Sequence, residues 1–460
     1  MNADYGTVGI SAMSCIRNAL VLAVGLGTLA LAAPPASAET ILGALAKAYE
    51  NNPDLNAARA GLRATDEDVP IAKSGYRPNV AATASLSATD TRTQILDTTT
   101  RDGSIGVSFT QTLFDGYQTR NNVRSAQAGV LGGRQDLTDT EMSILLSAAQ
   151  SYADVVQDRQ IVRVRQENLE FLREQRNAAQ ARFDVGEGTR TDIAQAQAEL
   201  ESARALLLSA QAQLKSSVAV YIQIVGAPPT NLQKPQPLST LLPTSSTSAV
   251  EIGLREHPEI LSAQYDVDAA AFSVKAEEGA LLPQVSLTGS MTHSDSGTDT
   301  STIEATLTVP LYLRGSTAAE VRQAKETLGQ ARILVDSARR EVEQNILTFW
   351  ALLEASNASI AANQAQVEAA QLALRGVVEE RKVGQSTTLD VLETQSNVLS
   401  AQESLAESER DAVVNSYSLM SAIGRLTVSD LNLKVARYRP ELHYRAVEDK
   451  WFGLRTVDGR

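Results

Sequence analysis

The chain has 460 residues and a formal net charge of -13; it is 43% hydrophobic, only 4% aromatic, and carries one Cys. So few aromatic side chains leave little with which to build the several compact cores such a length suggests, and elongated helical packing is expected instead. The acidic balance, 54 Asp and Glu against 41 Lys and Arg with no basic run, offers no electrostatic footprint for nucleic acid.

At the amino end, Arg17 precedes an uncharged apolar stretch from Ala19 to Ala33, then Pro34-Pro35 and the small-residue site Ala36-Ser37-Ala38. This pattern reads as a secretory signal over residues 1–38, cleaved before Glu39. The stretch is shorter than the roughly 20 residues a spanning helix needs. Cys15 leaves with it, so the exported chain has no disulfide framework and no Cys at the cleavage point to carry a lipid.

The remainder is written twice. Asn52-Pro53-Asp54-Leu55 recurs as His257-Pro258-Glu259-Ile260, and Arg77-Pro78-Asn79-Val80 recurs at the same interval as Leu282-Pro283-Gln284-Val285. Leu113-Phe114-Asp115-Gly116 is answered by Tyr312-Leu313-Arg314-Gly315. The expected division is a first repeat over 39–232, a Pro/Ser/Thr-rich linker over 233–248, a second repeat over 249–431 and a tail over 432–460. A unit of about 200 residues is too long for a solenoid, which points to duplication of a subdomain.

Each repeat follows one plan. A helix of moderate length precedes the strands, from Asp54 to Gly75 and again from Glu259 to Ala280. Strands are expected over about 79–92 and 103–114, then over about 284–294 and 301–312. In the better patterned ones, Ile105, Val107 and Phe109 alternate with Ser and Gly, and Ile303, Ala305 and Leu307 alternate with Glu and Thr. Long helices are expected over about 118–184 and 316–382, each ~100 Å at 1.5 Å per residue, and shorter ones over about 189–225 and 387–423. Ala196, Leu200, Ala203, Leu207, Ala210 and Leu214 follow steps of four and three, the seam of a coiled coil. Val321 to Val342 keeps that rhythm until an extra step of four reaches Ile346, a stutter that locally unwinds a supercoil.

Strands of about ten residues with strict alternation match the length and pattern of tilted transmembrane strands. The bland alternative is a half-buried soluble sheet. Four strands cannot close a barrel, and open edges in hydrocarbon would strand backbone groups at several kcal/mol each, so a membrane reading requires several chains to share one barrel. Two chains give eight strands, whose interior side chains normally fill; Ser, Thr and Gly are too small for that, and three chains give twelve strands with an open lumen.

The doubled plan, and most sharply Val383-Gly384-Gln385-Ser386-Thr387-Thr388-Leu389-Asp390-Val391-Leu392-Glu393, resembles the TolC-like outer-membrane factors. A softer match, His443-Tyr444 to Leu454, is similar to alphaproteobacterial members. The resemblance implies a mainly α fold with a small β part: a homotrimer whose twelve-stranded barrel in the outer-membrane lipid continues as a long coiled-coil α-helical barrel in the periplasm. It implies a passive exit duct for multidrug efflux or type I protein secretion, joined through a periplasmic adaptor to an inner-membrane transporter, ABC-type or proton-driven. The tail would strap the outside of the tunnel or be disordered.

The turns between long and short helices would then lie at the periplasmic tips, where Val185, Gly186, Val383 and Gly384 would meet the adaptor. Asp192 and Asp390 follow Thr189 and Thr387 at capping-box spacing, a local role. Asp390 and Glu393, three apart on one helix face, match by resemblance the acidic ring of the tunnel mouth, with Asp192 beside them; mutual repulsion would raise the pKa values in such a ring. Arg381 and Ser386 stand where some relatives carry a gating Tyr and Arg, and Gln195 replaces an acid in the first repeat. Pairing of Arg381 or Arg190 with Asp192 is a hypothesis for bracing the closed mouth.

No enzyme is indicated. His257, His293 and His443 are scattered, Gly186-x-Gly188 lacks a third Gly or a following Lys, and no cofactor or metal set is expected. The competing reading is a soluble periplasmic coiled-coil adaptor or scaffold, against which stand two helical hairpins and two strand pairs. A strand-rich porin is countered by the excess of helix.

Overall fold

The computed structural model describes residues 39–95 and 97–459; the signal segment, with Cys15, lies outside them. In chain order the elements are α1 (Ile41–Asn51), α2 (Pro53–Asp66), α3 (Asp68–Lys73), β1 (Asn79–Arg92), β2 (Asp97–Phe114), α4 (Gln118–Asp184), α5 (Arg190–Val225), α6 (Ser246–Glu256), α7 (Pro258–Gly279), β3 (Gln284–Ser294), β4 (Asp299–Thr308), α8 (Ser316–Lys382), α9 (Thr388–Ala422) and α10 (Pro440–Val447).

Several expected limits differ. The helix before the first strands is broken into α2 and α3, because the ring of Pro70 would clash with the carbonyl of Asp66, where α2 ends. Its counterpart α7 has no such interruption. Strand β2 begins at Asp97 rather than 103, since the polar run Asp97 to Asp102 extends the hairpin in register, Asp97 opposite Arg92. Strand β4 stops at Thr308 rather than 312, just before Val309-Pro310, where the missing N–H ends the ladder.

The two hairpins join in one antiparallel sheet of order β1-β2-β3-β4. Its register is the telling feature. Val80 faces Phe109 and Phe109 faces Gly289, while Ala82, Val107 and Met291 form the next row and Leu287 faces Ala305. Thr83, Gly106 and Thr292 form an alternate row, followed by Ser85, Ser104 and Ser294. Because side chains alternate strictly, one face of all four strands is predominantly apolar and the other is mostly Ser, Thr and Gly. The apolar face is bare: Leu86, Ile105, Met291, Ile303 and Leu307 are all exposed. Strands β1 and β4 are open edges. Among the described residues, no helix is long and apolar enough to cross a membrane.

Below the sheet, α4 lies between α5 and α9, and α9 lies between α4 and α8, so α5 and α8 are the margins of the helical layer. The largest core sits midway along α4, where Met142, Leu145 and Tyr152 meet Leu45, Tyr49, Tyr221, Tyr417 and Leu426. The Tyr152 hydroxyl lies 2.7 Å from the Glu39 carbonyl and 2.8 Å from that of Gln233, satisfying the polar end of a buried ring. A second cluster, with Ile260, Val342, Ile346 and Leu419, gathers α6, α7, α8 and α9. A third, smaller one, Leu169, Leu172, Leu200 and Leu392, lies nearer the tips. Most of the exposed large apolar side chains of this four-helix layer are on its margins: Leu206, Leu208, Val220 and Ile222 of α5, and Ile333, Leu334, Leu347, Leu352 and Leu372 of α8.

Candidate functional site

The helix tips farthest from the sheet are built alike. Where α4 ends, Gly186 turns at φ 81° and its N–H donates to the Phe183 carbonyl at 3.0 Å. Where α8 ends, Gly384 turns at φ 77° and donates to Arg381 at 3.1 Å. A Cβ at either glycine would meet nothing, so the left-handed backbone, and not crowding, selects glycine there. Val185 and Val383 beside them are 72% and 71% exposed, leaving two apolar side chains at the extremity of the protomer.

Each following helix opens with a capping box. The Asp192 N–H donates to the Thr189 hydroxyl oxygen at 3.2 Å, and the Asp192 carboxylate accepts from the Thr189 N–H at 3.0 Å and its hydroxyl at 2.7 Å. Asp390 does the same with Thr387, at 3.2, 2.7 and 2.8 Å. These bonds hold Asp390 below the usual carboxylate range, backbone donor first and hydroxyl second. Asp192 is lowered chiefly by the Thr189 hydroxyl and N–H, with Thr388 and Arg381 adding to it. Within one protomer the helix-start donors lower Asp390 against a small effect of burial, and among the described residues no other acid acts on it; mutual repulsion of the kind expected in a ring would arise only between protomers. Glu393 is exposed on the same helix and, among the described residues, makes no hydrogen bond or ion pair.

Neither arginine pairs with Asp192. Arg190 lies over the Phe183 ring, 5.9 Å from its centre. Arg381 is only 6% exposed and donates through Nη1 to Gln175 Oε1 of α4 at 2.5 Å, while its Nε and Nη2 have no partner. Burial and the nearby Arg182 lower its pKa, against the pull of Asp192. Asp192 thus feels the charge of Arg381 without an ion pair, and a neutral amide is the nearer partner.

Several contacts escaped the sequence reading. Gln395 of α9 donates to Asn168 of α4 at 2.8 Å in a buried pair, and the Ser386 hydroxyl donates to Glu380 at 2.8 Å. Farther from the tips, Arg165 meets Glu403 at 2.6 Å and Arg410 meets Asp154 at 2.8 Å. The Ser386 bond stays within the second repeat, whereas the bonds of Asn168, Arg165, Asp154 and Gln175 tie α4 of the first repeat to both helices of the second. The available signal was weak: polar residues beside an apolar seam, with nothing in one strand of text to name the partner.

The Outer membrane efflux protein family model matches residues 44–227 and 250–425. The chain is 48% identical over 456 residues to the outer membrane efflux protein BepC of Brucella suis, covering 96% of this chain and 98% of that one. It is 24% identical to the outer membrane protein TolC of Escherichia coli, over 86% of this chain and 84% of that one. In structure it resembles the CmeC outer membrane channel of Campylobacter jejuni, with a TM-score of 0.77, 18% identity and 89% of each chain covered, a likeness of fold. The chain belongs to the outer membrane efflux protein family: it is an outer-membrane channel of the TolC-like efflux and secretion class, with strands in the bilayer and helices in the periplasm.

Proposed function

We propose that three copies of this chain close a twelve-stranded barrel and a twelve-helix tunnel, a passive duct that performs no chemistry on its cargo and opens at its helix tips. The observation that carries this reading is the sheet register. A continuous apolar face backed by a polar face, with both edges open, is stable in lipid only when further strands complete the ring. The bare apolar margins of α5 and α8 call for the same lateral neighbours as the open edges of β1 and β4.

In this duct the exposed Asp390 and Glu393 of three protomers gather at the mouth, with Asp192 beside them, and favour cations. Arg381, tied to Gln175, braces the tip of α8 against α4, and Arg190 stacks outside that contact. Val185, Gly186, Val383 and Gly384 form the surface that meets a periplasmic adaptor, through which an inner-membrane transporter, ABC-type or proton-driven, supplies the energy. Single-channel recording tests the mouth. Replacing Asp390 by Asn together with Glu393 by Gln should weaken cation preference, and an unaltered preference would reject the acidic ring. Arg381→Ala, which removes the bond to Gln175, should raise the conductance; an unchanged trace would remove Arg381 from the gate.

A further inference from the structure

The last residues of the chain are fixed by polar contacts while their apolar side chains point away. Helix α10 packs on α2, with Val447 buried and His443 Nδ1 2.8 Å from Asp66 Oδ2, a carboxylate almost fully enclosed. Beyond it Lys73 Nζ donates to Asp449 at 2.6 Å, and Arg77 Nη1 donates to the Lys450 carbonyl at 3.0 Å. Farther on, Arg63 reaches Asp458 at 3.7 Å. The guanidinium of Arg77 also lies 4.8 Å from the centre of the Trp451 ring. Yet Trp451 is 64% exposed, Phe452 89%, and Leu454 entirely so. A tail docked for the sake of its own burial would show the reverse arrangement.

The place where this happens explains the orientation. Arg77 stands two residues before the first residue of β1, so Trp451 is held at the level where strands give way to helices. The same boundary carries exposed Tyr76, Tyr117 and Tyr312, beside β1, β2 and β4. Transmembrane barrels wear aromatic girdles at the headgroup level, because an amphipathic ring is most stable where apolar and wet environments meet. Lys450 and Arg455 flank the exposed cluster and suit an anionic headgroup layer.

We propose that Trp451, Phe452 and Leu454 form an interfacial anchor, held in place by Arg77 and the α10 strap, that seats in the phospholipid headgroup layer on the periplasmic side of the outer membrane. The occupant of this patch is lipid. The patch is tied through Arg77 to the foot of β1, and a cluster of large apolar side chains at that level gains more from acyl chains than from water.

The chain's two tryptophans supply the test. Trp350 lies 34 residues into α8, ~50 Å from its membrane end at 1.5 Å per residue, out of reach of lipid-borne quenchers. The full-length channel is reconstituted in phosphatidylcholine and phosphatidylglycerol vesicles, with and without lipid brominated near the headgroup end of its acyl chains. The expected result is loss of Trp451's share of the emission in the wild type and no quenching in Trp451→Phe. Equal insensitivity of both proteins would overturn the proposal, whether the Trp451 emission is that of a ring in water or the blue-shifted emission of a ring buried against a neighbouring copy. A second measurement is proteolysis in the same vesicles. The segment after Val447 should be protected in the wild type and cleaved once Trp451, Phe452 and Leu454 are all replaced by Ser; cleavage of the wild type would overturn the proposal equally.

Discussion

The two repeats use the same turn and the same helix cap at their tips and are unlike each other where they meet. At the tips the same Gly in left-handed geometry is followed by the same Thr-x-x-Asp box. At the opposite end of the helices, Gly116 of the first repeat is pressed against Gly279 of α7, while Gly315 of the second faces open space. Helix α2 is capped by Asn52, whose side chain accepts from the N–H groups of Asp54 and Leu55; α7 is capped by His257, whose Nδ1 accepts from Glu259. The difference is a matter of position. Within a protomer α4 is covered on both sides, whereas α8 is a margin. Residues of the first repeat are thus fitted to the second, while at the tips the Val-Gly turn and the Thr-x-x-Asp box recur because each is a local device that needs no partner outside its own turn.

The sharpest way to break the comparison is to add one methyl group at each junction glycine. A Cβ on Gly116 would overlap the Gly279 carbonyl oxygen, and at φ 67° an L side chain is strained in any case. Gly116→Ala should cost several kcal/mol, overlap added to backbone strain, and should sharply lower the yield of folded, detergent-extracted protein. Gly315→Ala meets only the backbone term at φ 84°, on the order of 1 kcal/mol, and should be recovered normally with a slightly lower thermal midpoint. Equal losses at both sites would mean that the open side of Gly315 is as closely covered in the assembly as Gly116 is in the protomer.

The two caps offer a second contrast, with a definite sign. Burial pushes His257 down to about 4, opposed only by a backbone contact from Ser421. Its folded value lies below the ordinary 6.5, so between pH 6.5 and about 4 the unfolded chain binds a proton that the folded chain refuses. Stability is fully present above pH 6.5 and is lost as the pH falls towards 4, by up to about 3 kcal/mol at 1.36 kcal/mol per unit. Glu259, in the first turn of the same helix, has its carboxyl raised by burial and by Glu341 and Asp139, which acts in the opposite direction on acidification. His257→Asn, the cap of the first repeat placed in the second, should therefore move the acid unfolding midpoint lower. An unchanged midpoint would assign the acid sensitivity to other groups.

What was legible in the sequence follows from what is local. Alternation at Ile105, Val107 and Phe109 needs only neighbouring residues to announce a strand, and the seam from Ala196 to Leu214 needs only its own period. The joining of β2 to β3 is different: Ser104 and Ser294 are brought opposite each other by almost the whole length between the hairpins, and only that pairing turns two ribbons into one surface with an apolar and a polar side. The same limit hid Arg381. A basic residue near a helix end reads as a solvent-facing group or an ion-pair partner, but its burial depends on how α8 packs along α9, which brings the guanidinium within reach of Gln175 on α4. The union of His443 with Asp66 was equally invisible, since the tail carries no period and its contacts lie far back in the chain.

The smallest expected effect asks whether the two tips are equivalent, as their geometry suggests. Thr189→Ala removes the hydroxyl that both accepts from the Asp192 N–H and donates to its carboxylate, and loss of such a cap costs about 1 kcal/mol. Because Asp192 is held below its ordinary 3.8, the cap contributes above that pH and fades as the pH falls through the lowered value, so the wild type and the variant should converge in strong acid. Amide hydrogen exchange over the first turn of α5 reads this directly: faster exchange in Thr189→Ala at neutral pH, and faster exchange over the first turn of α9 in Thr387→Ala. If both helix starts fray alike, the boxes do the same local work and any difference in conductance between the two variants belongs to Asp390 with Glu393, the acidic pair that the first repeat, with Gln195 in place of an acid, does not have. A response confined to α9 would mean that α5 is held from outside its own cap, and the contact to look for is the one from Thr388 to Asp192.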